Sequence, residues 1–246
     1  MTAPAPDPRR RFQSPAASRA ALLLLATLSV APAAPAQVAA SATVTTNYLY
    51  RGASLSNGEP SVDFALAYDD KSGFYAGGAI IGEVTRREGA EVLGHLEYLG
   101  YAYRLKDGST LDLGANNLNY RSYGYRYAGD ADATEVYAGW VRGSLNYYLH
   151  YSPNYFQPGA RVLYGEVNGA IRLPSPFRLF GHVGVLTPLG GGYDSKERYD
   201  LRAGVEVGFG RGQAQLAWTT AQPTQTYYDG PAQGRGVLAL GLTWFF

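Results

Sequence analysis

The residues able to do chemistry are charged side chains and histidines that fall on one parity of alternating segments. In residues 198–209, Asp200, Arg202 and Glu206 take even positions, while Tyr199, Leu201, Ala203, Val205, Val207 and Phe209 take odd ones. A helix would scatter these charges around its circumference, whereas a strand sends them all to one face. Glu166 and Arg172 oppose Leu163, Val167 and Ile171 in the same way. Arg178 and His182 oppose Phe177, Leu179, Val183 and Val185; His150 opposes Leu149 and Tyr151; Asp63 opposes Val62, Phe64 and Leu66. Polar groups gathered on one face of many strands can line a wet interior, where they pair with one another or select passing ions and solutes. The expected pairs are Arg202 with Glu206, or Arg202 with Glu166 across the interior. The mixed signs set no preference for cations or anions.

About twelve such strands can be drawn after residue 36, each near the ~9–11 residues that a tilted membrane strand requires. The cleanest are those above. Weaker ones lie at 43–50, 74–81, 92–103, 110–120, 134–142 and 213–219, and a final one runs to Phe246. Short turns at 69–73, 106–108, 142–143, 174–176 and 210–212 alternate with longer connections at 51–60, 82–89, 121–133, 153–160, 187–197 and 221–234. Transmembrane barrels have this asymmetry, with short periplasmic turns and longer external loops. The expected fold is all-β: a transmembrane antiparallel up-and-down β-barrel of about 12 strands, with its charged parity facing inward. A lipid-facing Arg or Lys at mid-bilayer would cost about 2–4 kcal/mol.

The two ends of the chain agree with export. Arg9, Arg10, Arg11 and Arg19 precede an apolar run from Ala20 to Val30, and Ala34-Pro35-Ala36 offers a small-residue cleavage site. This reads as a signal peptide over 1–36, leaving a barrel over 37–246. The apolar run falls short of the ~20 residues of a spanning helix. At the other end Leu238, Leu240, Leu242, Trp244 and Phe246 share one parity. Trp244 and Phe246 are the candidate assembly signal for the bacterial barrel-assembly machinery.

Composition narrows the function. The chain of 246 residues has no Cys, which excludes disulfides, thiolate metal sites and cysteine nucleophiles. Its 31 Gly and 21 Tyr suit crowded barrel walls and membrane interfaces. Tyr48, Tyr50, Tyr98, Tyr101, Tyr103, Tyr147, Tyr151, Trp218 and Trp244 are candidates for the interfacial girdles. A slightly negative mean hydropathy fits a barrel, since only one face of each strand meets lipid. Without the signal, charged residues number 21 less four basic against 20 less one acidic, a net charge of −2 that gives no support for nucleic-acid binding. No cofactor is implied. Asp130 and Asp132 together are a weak signal for a divalent ion.

The sequence also offers an enzymatic alternative. His150-Tyr151-Ser152 has the His/Ser spacing of outer-membrane phospholipase A, and an imidazole beside a hydroxyl can activate it. Three features oppose it: His150 faces inward by parity, Tyr164 stands where that family has its orienting Asn, and Ser152 precedes Pro153.

Several segments in order resemble the TorF family of porins. These are Thr46-Asn47-Tyr48-Leu49-Tyr50-Arg51-Gly52-Ala53-Ser54, Asn57-Gly58-Glu59-Pro60-Ser61, Ser72-Gly73-Phe74-Tyr75-Ala76-Gly77, Leu96-Glu97-Tyr98-Leu99-Gly100-Tyr101, Glu135-Val136-Tyr137-Ala138-Gly139 and Tyr151-Ser152-Pro153-Asn154-Tyr155-Phe156. The resemblance implies an outer-membrane pore or transporter and gives no substrate. Three expectations stand: a narrow porin-like channel in the bacterial outer membrane passing small solutes or ions, a non-conducting structural or binding barrel, and a hydrolase. The first is favoured, and the protein is read as not an enzyme. Its expected partners are outer-membrane lipid, the assembly machinery and small solutes. Arg51 is read as an ordered loop or rim residue, and the oligomeric state is left open.

Overall fold

The computed structural model describes residues 37–85, 89–120, 131–190, 196–222 and 236–246. Residues 1–36, expected to be a signal peptide, residues 86–88, residues 121–130 with Asp130, residues 191–195 and residues 223–235 lie outside the described residues.

The strands are β1 (Gln37–Thr45), β2 (Leu49–Tyr50), β3 (Ala53–Ser54), β4 (Ser61–Asp69), β5 (Phe74–Thr85), β6 (Gly89–Arg104) and β7 (Thr110–Tyr120). They continue with β8 (Ala131–Arg142), β9 (Leu145–Ser152), β10 (Arg161–Arg172), β11 (Phe177–Gly190), β12 (Arg198–Phe209), β13 (Gly212–Gln222) and β14 (Val237–Phe245). Twelve of them close one antiparallel barrel in the order β1, β14 down to β4, and back to β1; β2 and β3 form a separate hairpin. The first and last strands close the barrel through five residue pairs between β1 and β14, from Ser41 opposite Phe245 to Thr45 opposite Gly241. With every edge paired, the barrel has no strand edge open to aggregation.

The wall is apolar outside and polar inside. Outward Ile171, Leu238, Phe64 and Val183 are exposed at 66%, 63%, 61% and 50%, while inward Glu135, Asp200 and Glu166 are nearly covered. Burial swaps residue by residue along β10 and β12, as the charge parity requires. On a soluble protein this apolar belt would be a large aggregation-prone patch.

The strand boundaries depart from expectation where the lumen shapes them. The segment expected at 43–50 divides: β1 ends at Thr45, and Leu49–Tyr50 belongs to the small hairpin. The 82–89 connection shrinks, because the β5–β6 ladder runs on to Thr85 opposite Gly89 past a register shift after Ile81. Likewise β11 extends to Gly190 into the expected 187–197 loop. The tight turns hold as expected. The Ser72 backbone N–H and side chain keep the Asp70 carboxyl below the usual carboxylate range, and the Ser109 hydroxyl and N–H do the same for Asp107. These lowered values mean that the turns' contribution is present at neutral pH and is lost as pH falls through the folded pKa.

Tyrosines fill much of the lumen. Tyr120, Tyr155 and Tyr164 are about 1% exposed, and Tyr137 is buried. Tyr75, Tyr98, Tyr137, Tyr148 and Tyr164 lie over the inward faces of Gly100, Gly77, Gly114, Gly139 and Gly184, where a Cβ would collide with the ring. Each glycine thus makes room for an aromatic from a neighbouring strand. The girdle expectation is corrected accordingly: Tyr101, Tyr103, Tyr147, Tyr151, Trp218 and Trp244 are exposed on the outer face, but Tyr48, Tyr50 and Tyr98 pack inside against the buried cluster around Leu93, Leu118 and Tyr120.

Candidate functional site, a hairpin in the barrel lumen

The connection from β1 to β4 turns into the barrel instead of standing above it. Its tip is Arg51-Gly52, flanked by Tyr50 opposite Ala53. Both tip residues have positive φ, 46° and 73°, as a two-residue type I′ hairpin turn demands. Asn57-Gly58 forms a second such turn at φ 52° and 83°. Side chains brace the base. Ser54 Oγ donates to Asn47 Oδ1 at 2.5 Å and accepts the Gly58 N–H, while Ser56 Oγ accepts the Tyr48 N–H and donates to the Glu59 carbonyl. The segments read from sequence as family features, Tyr50 to Ser54 and Asn57 to Ser61, are therefore the two turns of this inward loop.

Arg51 anchors the tip. Its Nη1 and Nη2 donate to Glu135 Oε1 and Oε2 at 2.6 and 2.8 Å, a bidentate pair buried on both sides. The guanidinium lies 3.8 Å from the centroid of the Tyr164 ring, with Tyr50 and Tyr155 at 5.0 and 5.5 Å. Burial works against the Arg51 charge, but Glu135 beside it outweighs that and holds the guanidinium firmly protonated. Burial also pushes the Tyr48 phenol up to about 12. The 153–160 connection covers the hairpin from above: Tyr155 and Phe156 are buried, and the Phe156 N–H bonds the Asp132 carbonyl.

A polar chain runs down the wall from Glu135. His150 Nδ1 is 3.5 Å from Glu135 Oε2, and its Nε2 is 3.4 Å from Glu166 Oε1. His182 Nδ1 faces Asn168 Oδ1 at 2.7 Å and Glu166 Oε2 at 3.6 Å, and its Nε2 lies 2.6 Å from Asp200 Oδ1. The Tyr164 hydroxyl donates to Asp200. Farther around the barrel, the Tyr75 and Tyr148 hydroxyls donate to the two oxygens of Asp112.

Eight of the nine positions expected to face inward do so: Asp63, His150, Glu166, His182, Asp200 and Glu206 are buried, with Arg178 and Arg202 partly covered. Arg172 has inward parity but is exposed at the end of β10. The expected pairs of Arg202 are corrected. Glu206 is taken by Arg178 at 2.9 Å, because the β11–β12 register sets them directly opposite, and Glu166 is taken by the two histidines. The expectation that Arg51 lies in a loop holds, but it is buried within the lumen. Sequence reasoning missed Glu135 and Asp112. The parity of Ala133, Glu135 and Tyr137 carried the signal for Glu135.

Ser152 is fully buried, and its hydroxyl donates to the Thr134 carbonyl at 2.8 Å. Asp132 accepts from Asn119 Nδ2. No cluster of three metal-ligating side chains occurs among the described residues.

Beneath the hairpin lies a cavity of about 160 Å³, lined by Thr43, Tyr48, Asp63, Asn116, Arg202, Gln213, Gln215 and Thr243 among others.

The closed 12-strand antiparallel barrel is the fold of outer-membrane porins. The KdgM porin superposes with a TM-score of 0.53 at 9% identity, covering 85% of this chain and 99% of that one. The NanC porin gives 0.54 at 9%, with the same coverage. The COG4313 outer membrane channel from Pseudomonas putida F1 gives 0.50 at 11%, covering 88% and 97%. At these identities the likeness is one of fold. No curated protein matches the chain. The chain belongs to the Gcw_chp family, bacterial proteins of unknown function, whose model matches residues 29–242.

Proposed function

We propose that the protein is an outer-membrane pore that passes small solutes or ions passively, narrowed by the β2–β3 hairpin. The observation that carries this reading is a 12-strand barrel, apolar outside, whose charged lumen holds a loop seated mainly by one ion pair. About eight strands leave a lumen filled by the wall's own side chains, and sixteen leave an open channel. Twelve leave room that a loop can fill or vacate. The KdgM and NanC porins share the architecture, and the order of sequence segments resembles the TorF porin family. In this reading the short turns are periplasmic, residues 1–36 are a cleaved export signal, and the inward charges line the pore. The buried Ser152 hydroxyl, committed to a backbone carbonyl, leaves catalysis without support.

Liposome swelling tests passage. Vesicles holding the refolded protein should swell in small sugars and fail to swell in sugars above a sharp size limit. Swelling no faster than protein-free vesicles would contradict it. A second reading, a sealed barrel, is favoured by the near-complete burial of Leu55, Leu93, Tyr120 and Tyr155 around the hairpin. The same assay separates the two.

Two further results follow from membrane residence. Val183→Arg places a charge at mid-strand on the outer face and should cost about 2–4 kcal/mol. Denaturant unfolding in lipid vesicles measures this, and an unchanged midpoint would contradict the lipid-facing assignment. Deleting Phe246, exposed at the end of the β14 parity, should lower the fraction reaching the outer membrane in cells while leaving refolding in detergent unchanged. Equal amounts in the outer membrane would remove Phe246 from the assembly signal.

A further inference from the structure

Two inward charges, Arg202 and Asp63, have no ion-pair partner among the described residues, and both line the cavity beneath the hairpin. Arg51 and Arg178 each face a glutamate within 2.9 Å. Arg202 faces none among the described residues: its Nε has no protein partner, and its contact is the Phe180 ring at 5.5 Å. On the adjacent strand Gln215 Nε2, also buried, lacks a partner. Elsewhere on the same cavity stand two acceptors without donors, Asp63 Oδ2 on β4 and Asn116 Oδ1 on β7. Thr43 stands opposite Asp63 on β1, and its hydroxyl is 3.0 Å from that of Thr243.

Burying a polar group without a partner costs free energy, and burying an unpaired charge costs more. These four unpartnered groups line one cavity. The donors sit on β12 and β13, and the acceptors on β4 and β7. In the barrel order, β14 and β1 separate β13 from β4, so the two groups occupy different sectors of one cavity wall. The planar guanidinium is suited to hold a carboxylate, and the Gln215 amide adds a neutral donor. The unpartnered Asp63 Oδ2 and Asn116 Oδ1 are acceptors, so they call for hydroxyl or ammonium groups. Asp63 would repel a second negative charge on the solute.

From this we infer that the cavity is a solute-binding station for small carboxylates bearing donor groups at their far end, hydroxy acids or amino acids, with the carboxylate at Arg202 and Gln215 and the donors at Asp63 and Asn116. This deepens the pore reading and rests on it for the route by which the solute arrives, but binding itself is measurable without conductance.

The test titrates gluconate, 6-aminohexanoate and glucose into the refolded, detergent-held barrel by calorimetry, and adds each to single channels in a planar bilayer. Gluconate, 6-aminohexanoate or both should bind and interrupt the current, and glucose should do neither. Arg202→Gln should weaken carboxylate binding at least tenfold without lowering the unfolding temperature, since it removes an unpaired charge. Arg202→Lys should recover part of the affinity, and both variants should keep the heat-modifiable gel shift of a folded barrel. Asp63→Asn should weaken 6-aminohexanoate more than gluconate if the occupant is an amino acid, and both alike if it is a hydroxy acid. Equal binding by wild type and Arg202→Gln, or no binding of either carboxylate, overturns the station. Arg202-dependent binding without any conductance supports the station and removes the pore.

Discussion

Arg51→Ala should raise the single-channel conductance roughly threefold or more, because it releases a loop from a lumen that twelve strands leave wide enough to conduct. The hairpin tip is held by two charge-assisted hydrogen bonds to Glu135 and by the Tyr164 ring face. Removing one partner of a buried ion pair costs about 3–5 kcal/mol, since the remaining charge stays buried and uncompensated. Here the cost need not unfold the barrel, whose closure depends on backbone ladders. It falls on the docked loop, which can swing away and let water reach Glu135. At 1.4 kcal/mol per tenfold, a loss of about 3 kcal/mol shifts the docked to undocked ratio by roughly two orders of magnitude. A double variant, Arg51→Met with Glu135→Leu, gives the internal control. Replacing a buried pair by apolar side chains of similar bulk is often neutral or stabilising, so this variant should stay docked and conduct like wild type. If Arg51→Ala is folded but conducts as wild type does, the ion pair does not hold the constriction.

Gly52→Val should open the same lumen without removing any charge. At φ 73°, a residue with a Cβ costs about 1–2 kcal/mol. The new Cβ would also stand 2.5 Å from Ala221 Cβ and 2.9 Å from Asp200 Cβ. Overpacking of this kind costs about 1–3 kcal/mol. The hairpin tip is pressed against β12 and β13 on one side while Arg51 is clasped by β8 on the other. Valine makes that fit impossible, and conductance should approach that of Arg51→Ala. Gly58→Val separates the two causes. It carries similar backbone strain at φ 83° but meets nothing within 4 Å, so it should change conductance far less. Equal effects at the two glycines would mean that backbone strain, not packing against the wall, sets the loop's position.

The strands of the barrel could be read from sequence where the inward residues are charged. In β10 and β12, Glu166, Asp200, Arg202 and Glu206 stand against Val, Leu and Tyr, so the two faces differ in polarity and the parity is plain. In β5 through β8 the inward residues are largely Tyr, Ala, Gly and Leu. Tyr75, Ala79 and Ile81, or Ala133, Tyr137 and Val141, look no more polar than the outer face. There the lumen is filled by rings and by the hairpin's apolar base, so both faces are apolar and alternation fades. That fading itself reports a filled interior. Glu135 was hidden by the same effect, the single charge on an otherwise uncharged inward face of β8.

The inward loop was illegible for a different reason. A loop's long, polar sequence is the same whether it stands outside or folds in. Its burial is decided by partners more than 80 residues away, as in the Arg51–Glu135 pair. The two φ-positive turns were visible as Arg51-Gly52 and Asn57-Gly58, but nothing local says where the hairpin points. The pairing of Arg178 with Glu206, and the solitude of Arg202, depend on strand register, which charge parity does not set.

Single-channel recording of wild type beside Arg51→Ala, refolded and placed in the same planar bilayer, tests the central claim most directly. A pore narrowed by the hairpin predicts small discrete steps from wild type and larger ones from Arg51→Ala. Identical steps from the two folded proteins would contradict the constriction, and silence from both would contradict the pore.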